Sequence, residues 1–237
     1  MLELDQINTF RGPAHVLRNV SLAVGAAEAV TLVGRNGAGK TTTIDSIMGL
    51  LPVRSGRIVL GSRDITRLAA HRRALAGIGY APEDAGIFPD LTVAENFRIS
   101  QALARAAGRG RGDAGGIDER VLALFPEIGD FAQRRGLHLS GGQKKMVAIG
   151  RAMTLAPSVL LLDEPFEGLA PVVVTRFIDA VKQVKAMGIS LLIAESNLMT
   201  AARVADRLYA IDRGEIIFAG VPQEAFDNSE VMRTLRG

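Results

Sequence analysis

The stretch that decides the fold is Gly34-Arg35-Asn36-Gly37-Ala38-Gly39-Lys40-Thr41-Thr42, which follows the apolar run Ala29–Val33 and leads into a helical pattern that continues to about Met48. It matches the pattern GxxxxGK[ST] between a predicted strand and a predicted helix. Glycines let backbone N–H groups turn towards an anion, and the helix dipole faces the same point. The stretch therefore predicts a loop that binds the phosphates of a nucleotide.

Each part of this loop has a chemical role. Gly34, Gly37 and Gly39 allow the tight turn, and Lys40 can reach the β- and γ-phosphates as a point charge. The Thr41 hydroxyl can bind Mg²⁺. We therefore predict ATP and Mg²⁺ as cofactors, although the loop alone does not distinguish a kinase from a GTPase or a motor. The predicted contacts to the nucleotide are Gly34, Asn36, Gly37, Ala38, Gly39, Lys40, Thr41 and Thr42.

A second apolar run, Val159–Leu162, ends in Asp163-Glu164. A buried parallel strand presents its carboxyl end at the edge of the sheet where α/β proteins bind ligands. Asp163 is then predicted to hold Mg²⁺, and Glu164 to orient the attacking water or accept its proton. The alternative is a solvated strand end, but the phosphate loop favours the functional interpretation.

Composition adds broad limits. The chain has 237 residues, 48% of them hydrophobic, and its 28 Lys and Arg against 25 Asp and Glu do not indicate a nucleic-acid partner. The absence of cysteine excludes disulfides and Cys-based metal sites. The first residues lack the pattern of a signal peptide, and no apolar run approaches the roughly 20 residues that span a bilayer. We expect a cytoplasmic protein.

The order of patterns predicts the fold class. Strand-like segments at Leu2–Ile7, Val16–Val24 and Arg57–Leu60 indicate a β-rich N-terminal part, and strands alternate with helices after Pro157. We therefore predict an α/β P-loop NTPase core with an antiparallel β lobe and a helical lobe. The single domain spans residues 1–237, with the helical lobe at about 84–155.

The low-complexity segment at about 105–116 (Arg105–Gly116) is rich in Arg and Gly. Arg-Gly repeats can contact RNA, but a flexible loop between helices is the simpler interpretation.

Leu139-Ser140-Gly141-Gly142-Gln143 precedes a second predicted helix that continues to about Leu155. A serine and two glycines at a helix N-terminus form another anion-binding device. One γ-phosphate does not need two such devices in one chain. The second device therefore indicates a nucleotide held by another subunit.

With this pentapeptide, LSGGQ, the chain resembles the ATP-binding-cassette (ABC) ATPases over nearly its whole length. The resemblance implies two cassettes packed head to tail, each ATP lying between the phosphate loop of one and Ser140–Gln143 of the other. It also implies that Phe10 stacks on adenine and that Tyr80-Ala81-Pro82-Glu83 is the hinge to the helical lobe. Glu83 stands where most of the family has glutamine, which implies a catalytic and metal-binding role for Glu83.

Glu83, Gly150-Arg151-Ala152 and Gly168-Leu169-Ala170-Pro171 resemble the cassettes of branched-chain amino-acid importers and their urea and amide relatives. That resemblance implies an ATPase that energises uptake of a small solute, peripheral on the inner face of the cell membrane. Its partners would be permease subunits, a second cassette, either a different chain or a second copy, and indirectly a solute-binding protein.

The pattern breaks at Ser196, where most of the family has a histidine that contacts the γ-phosphate. Ala170 replaces an aspartate, and Glu167 a small or apolar residue. We expect Ser196 to act catalytically through a bridging water, with a slow site that supports a different partner cassette. A non-transport ABC ATPase, a small-molecule kinase and a structural ATP-binding scaffold are the alternatives.

Overall fold

The computed structural model describes residues 1–106, 108 and 117–236. The predicted flexible segment at about 105–116 lies mostly outside these residues. Two sheets organise the chain, one of four strands and one of six. Both sheets contribute to a buried apolar core that also packs against the phosphate-loop helix.

The six-stranded sheet has the order β10-β9-β3-β8-β7-β6, and all neighbours are parallel except β10 and β9. Every residue of β3, β7 and β8 is buried, as expected for apolar strands covered on both faces. The strands are β3 (Ala29–Val33), β6 (Ile78–Ala81), β7 (Val159–Asp163), β8 (Ser190–Glu195), β9 (Arg207–Asp212) and β10 (Glu215–Gly220).

The register of this sheet brings three chain segments together. Val33 pairs with Glu195, and Asp163 pairs with Ala194, so β3, β8 and β7 end almost level. The loops that follow these strands begin at Gly34, Ser196 and Glu164. The sheet therefore places three sequence-predicted segments side by side.

The antiparallel sheet has the order β2-β1-β4-β5. Its strands are longer than predicted. In β1, Gln6 has a φ of 47°, and the register shifts between Leu4 and Ile7. Such a bulge interrupts the alternation of buried and exposed residues from which a strand is recognised. The strands are β1 (Leu2–Arg11), β2 (Ala14–Val24), β4 (Val53–Leu60) and β5 (Arg63–Asp64).

The helix after the phosphate loop ends at Met48 as predicted, and the helix after Ser140 ends at Thr154, one residue before the predicted Leu155. The short strands β5 and β6 and the helices at Ala70–Ala76, Pro222–Asp227 and Ser229–Arg236 were not predicted. The helices are α1 (Lys40–Met48), α2 (Ala70–Ala76), α3 (Val93–Ala106), α4 (Glu119–Leu124), α5 (Glu127–Asp130), α6 (Gly141–Thr154), α7 (Pro171–Ala186), α8 (Leu198–Val204), α9 (Pro222–Asp227) and α10 (Ser229–Arg236), with a 3₁₀ turn at Gly136–His138.

Within the described part of the segment 84–155, the regular elements are helical. These helices share one apolar cluster with the parallel sheet, in which Phe97 and Val147 pack with Leu160. Among the residues that the structure describes, no helix is both long and apolar enough to cross a membrane.

The turn between β9 and β10 fastens the phosphate loop to the antiparallel sheet. The Gly214 N–H donates to the Ala38 carbonyl at 2.8 Å, and the Gly214 carbonyl accepts from the Arg18 N–H at 2.8 Å. Gly214 has a φ of 83°, and a Cβ on it would lie 1.7 Å from the Val16 carbonyl oxygen. Only glycine therefore fits where the two sheets meet.

We predict that Gly214→Ala destabilises the fold far more than Gly61→Ala. Gly61 has a similar φ of 63° but nothing within 4 Å of a Cβ, so its substitution carries only the backbone strain of about 1 kcal/mol. The clash at Gly214 adds at least about 2 kcal/mol. Urea unfolding of both variants measures the difference, and equal losses of unfolding free energy would contradict the packing role of Gly214.

Candidate nucleotide site

The phosphate loop surrounds a cavity of about 430 Å³. Gly39 ends the loop with a φ of 117°, and α1 begins at Lys40. Eight of the seventeen sequence-predicted site residues line this cavity, together with two residues from β1 and β2 that were not predicted, Arg11 and Val16. Its lining is Arg11, Val16, Asn36, Gly37, Gly39, Lys40, Thr41, Thr42, Glu83, Glu164 and Glu167.

Lys40 is buried, and its ammonium group is bonded to other groups of the protein. Its Nζ donates to the Gly34 carbonyl at 2.7 Å and to the Arg35 carbonyl at 3.1 Å. The same nitrogen lies 3.0 Å from Glu164 Oε1, and both side chains are about 5% exposed. The predicted phosphate-binding cation and the predicted base thus neutralise each other.

Ser196 joins this ion pair. Its Oγ lies 2.6 Å from Glu164 Oε1, 2.9 Å from Lys40 Nζ and 3.0 Å from Asn36 Oδ1. A hydroxyl has one hydrogen to donate, and the short contact to the carboxylate marks Glu164 as its acceptor. The Ser196 N–H donates to Glu164 Oε2 at 3.1 Å. Ser196 therefore holds both oxygens of the Glu164 carboxylate.

The backbone at Glu164 is unusual. Its φ of 47° lies in the left-handed region, which is uncommon for a residue with a side chain. The Glu164 N–H donates to the Ala194 carbonyl at 3.0 Å, and this bond ties the turn to the neighbouring strand β8. The turn lets Asp163 and Glu164 point to different parts of the site.

Asp163 is the candidate metal carboxylate. It is 1% exposed, and neither of its carboxylate oxygens has a hydrogen-bond partner among the described residues. Burial raises its pKa to about 6, and the charge of the neighbouring Glu164 adds to the rise. The nearby Thr41 hydroxyl opposes the rise, although it makes no hydrogen bond of normal geometry to Asp163. Unpaired buried carboxylate oxygens are costly unless a cation completes them. They fit a divalent ion.

Thr41, Glu83 and Asp163, the three residues predicted to hold Mg²⁺, line one cavity of about 400 Å³. Mg²⁺ commonly takes one or two carboxylates and completes its shell with water and substrate phosphates. Within the described ranges no group of three or more His, Cys, Asp or Glu side chains could hold a metal ion. The donor set therefore suits Mg²⁺ that is bound together with a nucleotide.

A further buried carboxyl, Glu195, was not predicted. It is 2% exposed, and its Oε1 accepts the Phe166 N–H at 3.2 Å. Burial raises its pKa to about 7, and the negative charge of Glu164 adds to this rise. Its position as the last residue of an apolar strand resembles that of Asp163, which is the sequence signal that could have identified it.

The segment Ser140–Gln143 begins α6 with a capping box. The Ser140 Oγ accepts the Gln143 N–H at 3.3 Å, and the Gln143 Oε1 accepts the Ser140 N–H at 3.0 Å. Ser140 and Gly141 are exposed, and none of the residues Ser140–Gln143 lines the phosphate-loop cavity. In this chain the second anion-binding device faces solvent.

Lys145 connects α6 to the turn after β7. Its Nζ donates to the backbone carbonyls of Glu164 and Glu167, the second at 2.9 Å. Burial lowers the pKa of Lys145 while the surrounding glutamates oppose this effect. The helix that begins at Ser140 is thus bonded to the backbone that carries Glu164.

Phe10 occupies a different position from the phosphate-loop residues. Its ring stacks on His15 with centroids 4.3 Å apart, and the Arg54 guanidinium lies 4.8 Å from its centroid. Phe10 does not line the phosphate-loop cavity, whereas its neighbour Arg11 does. The predicted contact between Phe10 and adenine therefore stays a prediction.

Known proteins similar to this chain indicate its family. The profile of the ABC transporter family matches residues 17–167. The lipopolysaccharide export ATP-binding protein LptB of Acidithiobacillus ferridurans is 36% identical over 94% of this chain and 90% of its own length. The high-affinity branched-chain amino acid transport ATP-binding protein BraG of Pseudomonas aeruginosa is 32% identical over 98% and 97%.

Solved structures agree in fold. An ATP-binding cassette of an ABC transporter in its ADP conformation has a TM-score of 0.86 and 27% identity, covering 100% of this chain and 98% of that one. A dimeric cassette bound to ADP and Pi has a TM-score of 0.82 and 23% identity, covering 94% and 99%. The predicted fold class is confirmed.

The buried Glu195 predicts a pH dependence of stability. Its pKa rises from 4.5 in the unfolded chain to about 7 in the fold. The folded protein keeps a proton that the unfolded chain releases, so the free energy of unfolding decreases as the pH rises through this window, by about 3 kcal/mol. Glu195→Gln should remove this contribution in urea titrations from pH 4.5 to 8, and should leave the decrease that Asp163, whose pKa is also raised, causes at the lower end of this range.

Glu215→Gln, at an exposed position on β10, is the matched control and should keep the pH profile of the unchanged protein. Parallel profiles for Glu195→Gln and the unchanged protein would contradict a protonated Glu195.

Proposed function

Because the chain belongs to the ABC transporter family and is an ATPase, we propose that it energises the uptake of a small solute such as a branched-chain amino acid. ABC cassettes dimerise and work with membrane permease subunits. The segments Gly150-Arg151-Ala152 and Gly168–Pro171 resemble those of importer cassettes, which supports an importer. The similarity to BraG over 98% of this chain supports it as well. The cassette would lie on the inner face of the membrane through its permease.

The observation that carries the catalytic part of this proposal is the cluster of the buried Lys40 and Glu164 with the half-buried Ser196. Phosphate oxygens carry more negative charge than one carboxylate, so the β- and γ-phosphates would draw Lys40 away from Glu164. Glu164, still held by Ser196, would then orient the attacking water. As the oxygen of that water bonds to the γ-phosphorus, its proton passes to Glu164 and the bond to ADP breaks.

Thr41, Asp163 and Glu83 would hold Mg²⁺ beside this cluster, since they share one cavity and the Asp163 oxygens have no other partner. When bound, Mg²⁺ neutralises charge that develops on the phosphates. Burial of Asp163 keeps its oxygens free for that role.

A second candidate function is export. LptB proteins of Acidithiobacillus ferridurans and Haemophilus influenzae are each 36% identical over 94% of this chain. These similarities favour an ATPase that drives lipopolysaccharide export. ATP hydrolysis follows the same chemistry in importers and exporters, so the identity of the membrane partner distinguishes the two functions.

Purification of the chain from native membranes tests the transport proposal. We expect two permease subunits and a second cassette to co-purify, and the reconstituted complex to hydrolyse ATP faster when a loaded solute-binding protein is added. Copurification with subunits of a lipid exporter would favour the second candidate. Recovery without any membrane protein would contradict both.

We also propose that this chain has a slow site of its own and supports a faster site in a different cassette. Serine is too short to reach the γ-phosphate as histidine does, and Ser196 is committed to Glu164. Turnover by the purified chain alone at a typical enzyme rate of about ten per second would contradict this proposal.

Two substitutions at Ser196 test the role of the hydroxyl. Ser196→Ala should lower the turnover of ATP about tenfold, because Glu164 loses the bond at 2.6 Å. Ser196→His should raise turnover, because an imidazole reaches further into the site. Steady-state ATPase assays with equal nucleotide occupancy measure both. Unchanged or lower turnover in Ser196→His would contradict the slow-site explanation.

A further inference from the structure

Arg11, at the end of β1, makes two contacts to the phosphate-loop helix. Its Nε donates to Thr42 Oγ1 at 3.0 Å, and its Nη2 lies 2.6 Å from Asp45 Oδ2. It also lines the phosphate-loop cavity together with Thr42. A flexible cation is thus held at a fixed point on the wall of the nucleotide site.

Stabilisation of the fold by the ion pair with Asp45 does not account for this arrangement of Arg11. The Arg11 side chain is 46% exposed and that of Asp45 is 14% exposed. An ion pair so accessible to solvent contributes little to folding, and fixing a long side chain opposes it. Its effect is to position the guanidinium, whose Nη1 makes no hydrogen bond within the described part of the chain.

The position of Arg11 identifies which phosphate it would meet. Lys40 is bonded to Glu164 and Ser196, so this group marks the γ-phosphate end of the cavity. Thr42 lies two residues further along α1, about 200° around the helix. A triphosphate whose γ-phosphate lies at Lys40 therefore has its α-phosphate nearer to Thr42 and to the guanidinium bonded to it.

We propose that Arg11 binds the phosphates that ADP and ATP share, chiefly the α-phosphate, and that Asp45 holds it in position before the nucleotide arrives. A guanidinium is suited to this contact because its planar set of N–H donors matches two phosphate oxygens. Arg11 is a binding residue of the site, while Asp45 is a positioning residue. The inference rests on the ATPase assignment and is independent of the transported solute.

Nucleotide titrations of four variants test this inference. Isothermal titration calorimetry would measure the Kd of Mg²⁺-ATP and of Mg²⁺-ADP. Arg11→Ala should raise both constants by the same factor, about tenfold, because the contact is to a phosphate present in both. Arg11→Lys should fall between, since an ammonium lacks the planar donor set. Arg63→Ala, at an exposed position on β5, is the control and should change neither.

The variant Asp45→Asn distinguishes a role of Arg11 in nucleotide binding from a role in joining β1 to α1. If Arg11 only joined the two elements, Arg11→Ala and Asp45→Asn would lower the unfolding midpoint alike and leave both Kd values within twofold. The proposal instead expects Asp45→Asn to weaken the binding of both nucleotides by a smaller factor, about threefold, because Arg11 is still present but is no longer held in position, while Arg11→Ala weakens it about tenfold.

Two other outcomes would overturn the assignment to Arg11. One is a weaker Kd for ATP with that for ADP unchanged, which would place the contact at the γ-phosphate. The other is equal loss of affinity in Arg11→Ala and Asp45→Asn. An unchanged protein that binds neither nucleotide would overturn the ATPase assignment itself, which is a different result from either.

Discussion

Strands β3, β8 and β7 lie side by side with their carboxyl ends almost level, because Val33 pairs with Glu195 and Asp163 with Ala194. All three strands are buried along their whole length, so a shift of register would expose the ends of apolar strands and bury charged turns. This constraint brings the phosphate loop, Glu164 and Ser196 within bonding distance although they are far apart in the chain. The positions of the other residues in the candidate site depend on this register.

The level strand ends also create an electrostatic problem, since they gather Asp163, Glu164 and Glu195 at one edge of the sheet. Each carboxyl is accommodated in a different way. Glu164 pairs with Lys40, Glu195 has a pKa raised to about 7, and the Asp163 oxygens have no hydrogen-bond partner in the described part of the chain. Like charges so close cannot all be ionised without compensation. The three environments therefore suit three different roles, with Glu164 as the proposed base, Glu195 as a carboxyl that keeps its proton and Asp163 as the proposed cation ligand.

Much of the fold could be predicted because its longest signals are local. The phosphate loop, the apolar strands and the helices with clear periodicity depend on neighbouring residues. The bulged ends of β1, the two-residue β5 and the four-residue β6 have no such pattern, and tertiary pairing determines them. In the site, Lys40, Glu164 and Ser196 were found from motifs, whereas Arg11 and Glu195 were missed. Neither belongs to a motif, and their hydrogen-bond partners lie 29 to 34 positions away in the chain.

The bonds from Lys145 to the carbonyls of Glu164 and Glu167 have a consequence for how such a cassette can diverge. The helical segment could be exchanged for that of a relative as a separate module only if nothing inside it fixed the catalytic turn. Here an ammonium on α6 fixes that turn, so a transplanted segment must bring a cation of matching reach at this position. The acceptors are backbone carbonyls, which do not depend on the identity of residues 163–167, so a segment that carries such a cation could be exchanged without them.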